Sequence, residues 1–189
     1  IARKLFTQNV SPQRRPSKKR SREALEEAES FAPDSFVIDA PLATDFTAMF
    51  AGAAKFNARM EFKNTSSATT MNAMFASAFK FNNGAGVFPA VGPPLVIDTA
   101  NVIDMAEMFF QSEEFNCELQ FSDTFKVRTI AHMFEGALSF NNGGAKELVF
   151  DTSVRQETPY DDPLRTFNRY NVLEDTPYFK AGLRIVGWR

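Results

Sequence analysis

Several residue types that carry chemistry are scarce in this chain of 189 residues, which has one cysteine, one histidine, one tryptophan and three tyrosines. A single cysteine excludes an internal disulfide and fits a reducing compartment. A single histidine excludes a zinc site built from several histidines and cysteines. No apolar run approaches the ~20 residues that span a bilayer, and no apolar segment follows the charged start. The sequence therefore predicts neither a membrane span nor a secreted protein.

Acidic residues are absent from residues 1–22, which carry eight Lys or Arg. The other 13 basic residues are outnumbered by 23 acidic ones, so a basic arm precedes a body of net charge −10. The arm resembles a nuclear-localisation or nucleic-acid-contacting cluster and is able to bind polyanions. A solvated arm without a partner is the alternative. The predicted partner-binding residues of the arm are Arg14, Arg15, Lys18, Lys19, Arg20 and Arg22.

Phenylalanine, by contrast, occurs 21 times, and one repeated phrase accounts for much of this excess. A Met-Phe pair is followed, after five residues, by Phe-Asn in four copies that lie 25, 34 and 25 residues apart. A fixed period of this size indicates a repeat protein, whose units bury their apolar faces by stacking on one another. The predicted structural residues are Met49, Phe50, Asn57, Met74, Phe75, Asn82, Met108, Phe109, Asn116, Met133, Phe134 and Asn141.

Each copy contains a helical apolar pattern and is followed by a short apolar run. Phe46, Met49, Phe50 and Ala53 have the spacing i, i+3, i+4 and i+7, which predicts a two-turn helix, and the other copies match it. The residue before each pattern is a predicted N-cap: Asp45, Thr70, Asp104 and Thr129. The apolar runs predict parallel strands: Phe36–Asp39, Met60–Phe62, Leu95–Ile97, Leu119–Phe121 and Leu148–Phe150.

These elements predict an α/β repeat fold, a short leucine-rich-like solenoid of about five coils in which strands alternate with two-turn helices. We expect three regions: a basic arm with a short acidic helix over residues 1–33, the solenoid over 34–154, and a C-terminal cap or docking tail over 155–189. The asparagine of each Phe-Asn pair is expected to bind backbone groups of adjacent coils. Binding of a sugar or an ion by stacked amides is the alternative.

Two regions break the period and are therefore candidates for partner contact. The Gly- and Pro-rich insertion Asn83–Pro94 contains Phe88 and Val91, which have no role in the repeat. The tail contains Tyr178 and Trp188, residue types that are common in interfaces. The insertion could equally fold back over its own coil, and the tail could cap the last coil.

The pattern Met-Phe-x5-Phe-Asn, a short strand and Asp-Thr-x-x-Val resembles the BspA-type leucine-rich-like repeat of bacterial surface proteins, protists and large viruses. The best local match is Asp98-Thr-Ala-Asn-Val102, and the match covers residues 36–154. The resemblance implies a right-handed solenoid used for adhesion or protein contact without catalysis. The chain departs from the family's usual Trp in the strand, where Phe62, Ile97, Phe121 and Phe150 stand instead.

No catalytic, metal-binding or nucleotide-binding pattern is present, so we expect no enzyme activity, no cofactor and no small-molecule substrate. Cys117 is read as a loop residue and His132 as a solvated surface residue. The leading hypothesis is a structural subunit that cements neighbouring proteins in a large assembly, such as a minor capsid protein of a virion shell, inside the cell or in a virion. A surface recognition module and a nuclear, nucleic-acid-associated factor are the alternatives.

Overall fold

Six short strands are joined by long turn segments in the computed structural model, which describes residues 35–86, 89–152 and 168–186. The five strands expected from the apolar runs are confirmed, and a sixth follows in the tail. Their bounds are β1 (Ser35–Asp39), β2 (Arg59–Lys63), β3 (Gly92–Ile97), β4 (Cys117–Phe121), β5 (Leu148–Asp151) and β6 (Leu183–Val186). A single helix-like turn, α1 (Asn142–Ala145), precedes β5, but Gly143 and Gly144 within it have positive φ, at 67° and 102°.

The strands pair in parallel as three separate two-stranded sheets, β1 with β2, β3 with β4, and β5 with β6. Between the sheets, the two insertions at residues 83–94 and 142–146 interrupt the pairing. We use "coil" for one passage of the chain through a strand and the turn segment that follows it. The five turn segments are residues 45–56, 70–81, 104–115, 129–140 and 168–179.

The predicted solenoid of alternating strands and two-turn helices is wrong, because the turn segments are not helical. The one helical turn in the described part of the chain is α1, which lies outside all five turn segments. In coil 1 the backbone N–H groups of Phe46, Ala48, Phe50 and Gly52 donate to carbonyls of the next coil at 2.8–3.0 Å. Other N–H groups of the segment, such as those of Met49, Ala51 and Ala53, donate to the carbonyl three residues back rather than the four of an α-helix.

Residues with a left-handed backbone conformation, that is with positive φ, explain how the helical spacing of apolar residues arises without a helix. The third and seventh residues after the start of each turn segment have positive φ, as at Ala48 (53°) and Gly52 (71°), or at His132 (56°) and Gly136 (70°). Each such residue turns the alternate N–H groups outward to the next coil. A non-glycine residue there costs about 1–2 kcal/mol, which the hydrogen bonds between coils offset.

The predicted N-caps instead pair one coil with the next. Asp45, Thr70, Asp104 and Thr129 form successive parallel β-bridges, and the series ends at Asn168. Their side chains do accept nearby N–H groups, since Asp45 Oδ1 accepts the N–H of Thr47 at 2.8 Å. Hydrogen bonds from the side chain of Thr47 and from its backbone N–H hold the pKa of Asp45 below its usual range. We refer to these five as the bridge residues.

Two columns of stacked phenylalanine rings form the core. One column contains Phe50, Phe75, Phe109 and Phe134, whose ring centroids are 5.3–5.7 Å apart. The other contains Phe56, Phe81, Phe115, Phe140 and Phe179, at 5.5–5.9 Å. Phe36 lies edge-on against Phe50 and closes the N-terminal end of the stack. All four Met-Phe pairs of the repeat are buried in this core.

Residues 168–186 continue the same architecture beyond the four recognised copies. Asn168 pairs with Thr129, and Phe179 stacks on Phe140 with centroids 5.5 Å apart. The tail therefore covers the fourth coil with a fifth turn segment. Its sequence hides the repeat, because Leu173 stands where the other segments have phenylalanine.

Candidate interaction surface

A column of asparagine side chains fixes the edge of the molecule from which the insertions emerge. The Oδ1 atoms of Asn57, Asn82 and Asn116 each accept the backbone N–H of the next asparagine in the series, at 2.7–2.9 Å. The last member, Asn141, accepts the N–H of Lys180 at 2.7 Å. Because these oxygens are engaged with backbone, the column positions loops rather than presenting free amides to a ligand.

A second pair of asparagines, which the sequence analysis did not single out, bridges the gaps between the sheets. Asn83 Oδ1 accepts the N–H of Met60 at 2.6 Å, and Asn142 Oδ1 accepts the N–H of Leu119 at 2.9 Å. Each side chain takes the place of a missing neighbouring strand. The signal was present in the sequence, because Phe-Asn-Asn-Gly occurs twice, at 81–84 and 140–143.

Gly92 is packed so closely that an added methyl group should destabilise the chain by about 1–3 kcal/mol, the usual range for overpacking. A Cβ atom at Gly92 would lie 2.5 Å from the carbonyl oxygen of Asn82 and would also overlap Cys117 Sγ. Gly92→Ala should therefore lower the midpoint of urea denaturation. Gly86→Ala is the matched control, because no atom lies within 4 Å of a Cβ there. Equal midpoints for the two variants would contradict this packing.

The candidate functional site is an open groove of about 800 Å³ that crosses coils 2 to 5. Its apolar walls are Phe79, Leu138 and Pro177, and Glu113 lies between the first two along the coil series. Gly136 and Gln111 also line the groove, and they pack closely, since a Cβ atom at Gly136 would lie 3.2 Å from Gln111 Cγ. Asp175 and Thr176 line the end of the groove.

The groove follows from the stacking register. Phe79, Glu113, Leu138 and Pro177 each lie nine residues after the bridge residue of their coil, so they form one column on the surface. Backbone hydrogen bonds hold that column: the N–H of Glu114 donates to the carbonyl of Phe79, and the N–H of Ser139 to that of Glu113. Phe79 and Leu138 are 37% and 43% exposed, so large apolar side chains face water on a rigid support.

Of the partner residues predicted from the sequence, the two that the structure describes, Val91 and Tyr178, do not line this groove. Val91 and Tyr178 are both exposed, at 49% and 48%, and Tyr178 directly follows Pro177 of the groove. Phe88, Trp188 and the whole basic arm lie outside the described residues. The sequence analysis missed Phe79 and Leu138. The available signal was that each lies four residues after the phenylalanine of a Met-Phe pair.

Three ionisable side chains outside the groove, those of Cys117, Glu118 and His132, are held by contacts within the protein. Burial raises the pKa of the Cys117 thiol, and its Sγ lies 3.4 Å from Asn82 Oδ1, so this thiol is poorly suited to act as a nucleophile. Lys146 donates a hydrogen bond to Glu118 and holds the pKa of that carboxyl below its usual range. His132 is half-buried, with its ring edge-on to Tyr170 and Nδ1 beside the carboxylate of Glu135, and is less solvated than expected.

Two features are absent from residues 35–86, 89–152 and 168–186. Within these ranges, no three side chains of the His, Cys, Asp or Glu type converge closely enough to hold a metal ion. Over the same ranges no helix has the length and apolar character needed to cross a membrane.

Comparison with known proteins places the chain in a family. The family model described as "Mycoplasma protein of unknown function, DUF285" matches residues 5–89 and 95–174. No curated protein and no solved structure matches the chain. The two matched segments include all four Met-Phe-x5-Phe-Asn copies and the fifth turn segment up to residue 174. Because they cover most of its length, the chain belongs to the DUF285 family.

Proposed function

We propose that this chain is a non-catalytic interaction subunit that holds other proteins in an assembly, and that the groove is its contact site. The observation that carries the proposal is the exposure of Phe79 and Leu138 on a hydrogen-bonded column. Burying an apolar side chain of this size contributes about 1.5–3 kcal/mol, so two such side chains on a preorganised surface support specific binding.

The charge of the groove indicates which partner fits it. Glu113 lies between the two apolar walls and Asp175 lies at the end, and none of the described residues that line the groove is basic. The partner is therefore a protein segment with a bulky apolar side chain next to Lys or Arg. Glu113 and Asp175 would then contribute mainly to specificity and association rate.

A binding role also agrees with the chemistry of the interior. The Met and Phe side chains fill the stack with apolar groups, and the one thiol is buried with a raised pKa. The Met-Phe-x5-Phe-Asn phrase resembles BspA-type repeats, for which protein contact and adhesion are the implied roles. An assembly such as a virion shell is one setting in which a subunit of this kind would act.

A peptide selection tests the groove. Random peptides displayed on phage are selected against the full chain, and their affinities are measured by fluorescence anisotropy. We expect selected peptides to carry an apolar residue beside Lys or Arg. The double substitution Phe79→Ser and Leu138→Ser should weaken their binding by about 10- to 100-fold, since about 1.4 kcal/mol corresponds to each factor of ten.

The control for this selection is Val37→Ser with Ile103→Ser. These two side chains are 48% and 42% exposed and do not line the groove, so their replacement should leave the affinities unchanged. Failure to select any peptide, or equal affinity of the selected peptides for the groove variant and the parent chain, would reject the proposal.

A further inference from the structure

The dipeptide Asn-Gly occurs twice in the chain, at residues 83–84 and 142–143, and both copies lie in the gaps between the sheets. In each copy both residues have positive φ, 50° and 83° in the first and 43° and 67° in the second. Asparagine tolerates this conformation better than most residues, and glycine adopts it at no steric cost. A Cβ atom at Gly84 would also lie 3.3 Å from the backbone nitrogen of Arg59. The backbone of the gaps therefore favours this residue pair.

Asn-Gly is also the dipeptide in which asparagine is chemically least stable. The backbone nitrogen of the glycine attacks Cγ of the asparagine and loses its proton, while the departing amide group gains a proton and leaves as ammonia. Water then opens the resulting succinimide ring at either carbonyl, which gives aspartate or isoaspartate. Glycine permits the attack because it has no side chain to hinder it. The reaction therefore requires that the glycine N–H and the side-chain amide are both free to move.

In the first copy these groups are held by hydrogen bonds. The N–H of Gly84 donates to Asn57 Oδ1 at 3.0 Å. Asn83 Oδ1 accepts the N–H of Met60 at 2.6 Å, and Asn83 Nδ2 donates to the carbonyl of Pro93 at 3.0 Å. Asn83 is 0% exposed. The structure must therefore open locally before the ring can close.

In the second copy the asparagine side chain is held in the same way. Asn142 Oδ1 accepts the N–H of Leu119 at 2.9 Å, and Asn142 Nδ2 donates to the carbonyl of Lys146 at 2.8 Å. Asn142 is 1% exposed. Gly143 packs against backbone, since a Cβ atom there would lie 2.7 Å from the nitrogen of Glu118. The contacts that close the gaps between the sheets thus also restrain both reactive dipeptides.

The products of the reaction do not fit the gaps. Aspartate at position 83 would place a carboxylate oxygen against the carbonyl of Pro93, to which the amide now donates, at a site where burial disfavours a charge. Isoaspartate would lengthen the backbone by one carbon atom and shorten the side group that accepts the N–H of Met60. A chain that has reacted at either site therefore loses the contact that replaces a strand.

We propose that Asn83 and Asn142 are modification sites that the fold keeps unreactive, and that their conversion to aspartate or isoaspartate in the unfolded chain prevents refolding. The reactants are the chain itself and water. Modification thus separates chains that have stayed unfolded from those that have not, and it does not involve the groove.

Mass spectrometry of the full chain tests the protection. The chain is incubated in mildly alkaline buffer, either folded or in concentrated urea, and its proteolytic peptides show where a carboxyl group has replaced an amide. Synthetic peptides of residues 80–86 and 139–146, in the buffer without urea, give the rates of unrestrained Asn-Gly pairs. Asn83 and Asn142 of the folded chain should react at least about 100-fold more slowly than the peptides, because reaction requires local opening. Conversion in the folded chain at the rate of the peptides would overturn the proposal.

Refolding tests the consequence. Chains kept in mildly alkaline urea until both sites are converted should not regain the urea midpoint of the parent chain after dilution. The control is the same time in mildly acidic urea, where the glycine nitrogen keeps its proton and the ring closes slowly, and these chains should refold. Full refolding of the converted chains would overturn the proposal. The double variant Asn83→Asp and Asn142→Asp should have a lower midpoint than the parent chain, and an unchanged midpoint would also overturn it.

Discussion

Phe109→Asp is expected to abolish the cooperative unfolding transition of this protein. Phe109 is 0% exposed, and its ring stacks on Phe75, Phe115 and Phe134 at centroid distances of 5.5, 4.0 and 5.7 Å. An unpaired carboxylate there costs several kcal/mol, and the stacking of three neighbouring rings is lost as well. The total is comparable with the about 5–15 kcal/mol by which domains of this size are stable.

Circular dichroism and urea denaturation measure the loss. The control is Ile103→Asp, in the same coil, where the side chain is 42% exposed and the charge remains in water. It should unfold cooperatively with a midpoint near that of the parent chain. If Phe109→Asp kept a cooperative transition at the midpoint of the control, the stacked columns would not be the core of the protein in solution.

The double substitution Asn83→Ala and Asn142→Ala should destabilise the chain by about 2–6 kcal/mol. Each removes the acceptor of a buried strand N–H, that of Met60 or of Leu119, and an unsatisfied buried donor costs about 1–3 kcal/mol. The two sites lie in different gaps between sheets and share no partner, so their effects should add. Urea denaturation of the two single variants and of the double variant measures both the size and the additivity.

Asn64→Ala is the control that measures how much stability is lost when alanine replaces asparagine at a positive φ, without loss of a buried hydrogen-bond acceptor. Asn64 has φ 51°, close to the 50° of Asn83 and the 43° of Asn142, but it is exposed and its amide contacts only the carboxylate of Asp39. Its replacement should cost less than about 1 kcal/mol. Single variants at Asn83 and Asn142 that cost no more than Asn64→Ala would show that neither side chain replaces a strand.

Strands and core were readable from the sequence because both depend on side-chain period alone. Leu95–Ile97 and Leu148–Phe150 are bounded apolar runs, and both are strands. The Met-Phe pairs recur at a fixed step, and all are buried. Burial at these positions requires only that the same residue type return at the same place in each coil.

The prediction of helices was wrong because apolar spacing does not reveal which carbonyls the backbone N–H groups donate to. Phe46, Met49, Phe50 and Ala53 fit one face of a helix, yet the N–H groups of Phe46 and Phe50 bond to the next coil. The observed turn segment differs from a helix by its residues of positive φ at the third and seventh positions after the bridge residue. Those positions hold Ala, Ser, Glu, Gln and His as well as Gly, Asn and Asp, so the residue types do not identify them.

The groove could not be read from the sequence for a related reason. Phe79 and Leu138 are far apart in the chain and have different neighbours, and only the stacking register brings them into one column. Gly136 lines the groove as well, and the sequence analysis gave it no role. Surface columns of a repeat become visible once the number of residues per coil and the places of the insertions are known.

The insertion at residues 83–94 lies between two members of the asparagine column, Asn82 and Asn116, and this has an evolutionary consequence. Asn82 Oδ1 accepts the backbone N–H of Asn116 in the next coil, while its Nδ2 atom donates to the carbonyls of Gly86 and Ala90 at 3.2 Å. The contact between coil 2 and coil 3 therefore does not depend on the number of residues in the loop that joins them. The stretch between Gly86 and Ala90 should therefore tolerate changes in length as long as Asn83 and Gly92 keep their contacts, which makes it a place where new recognition can arise without refolding the rest.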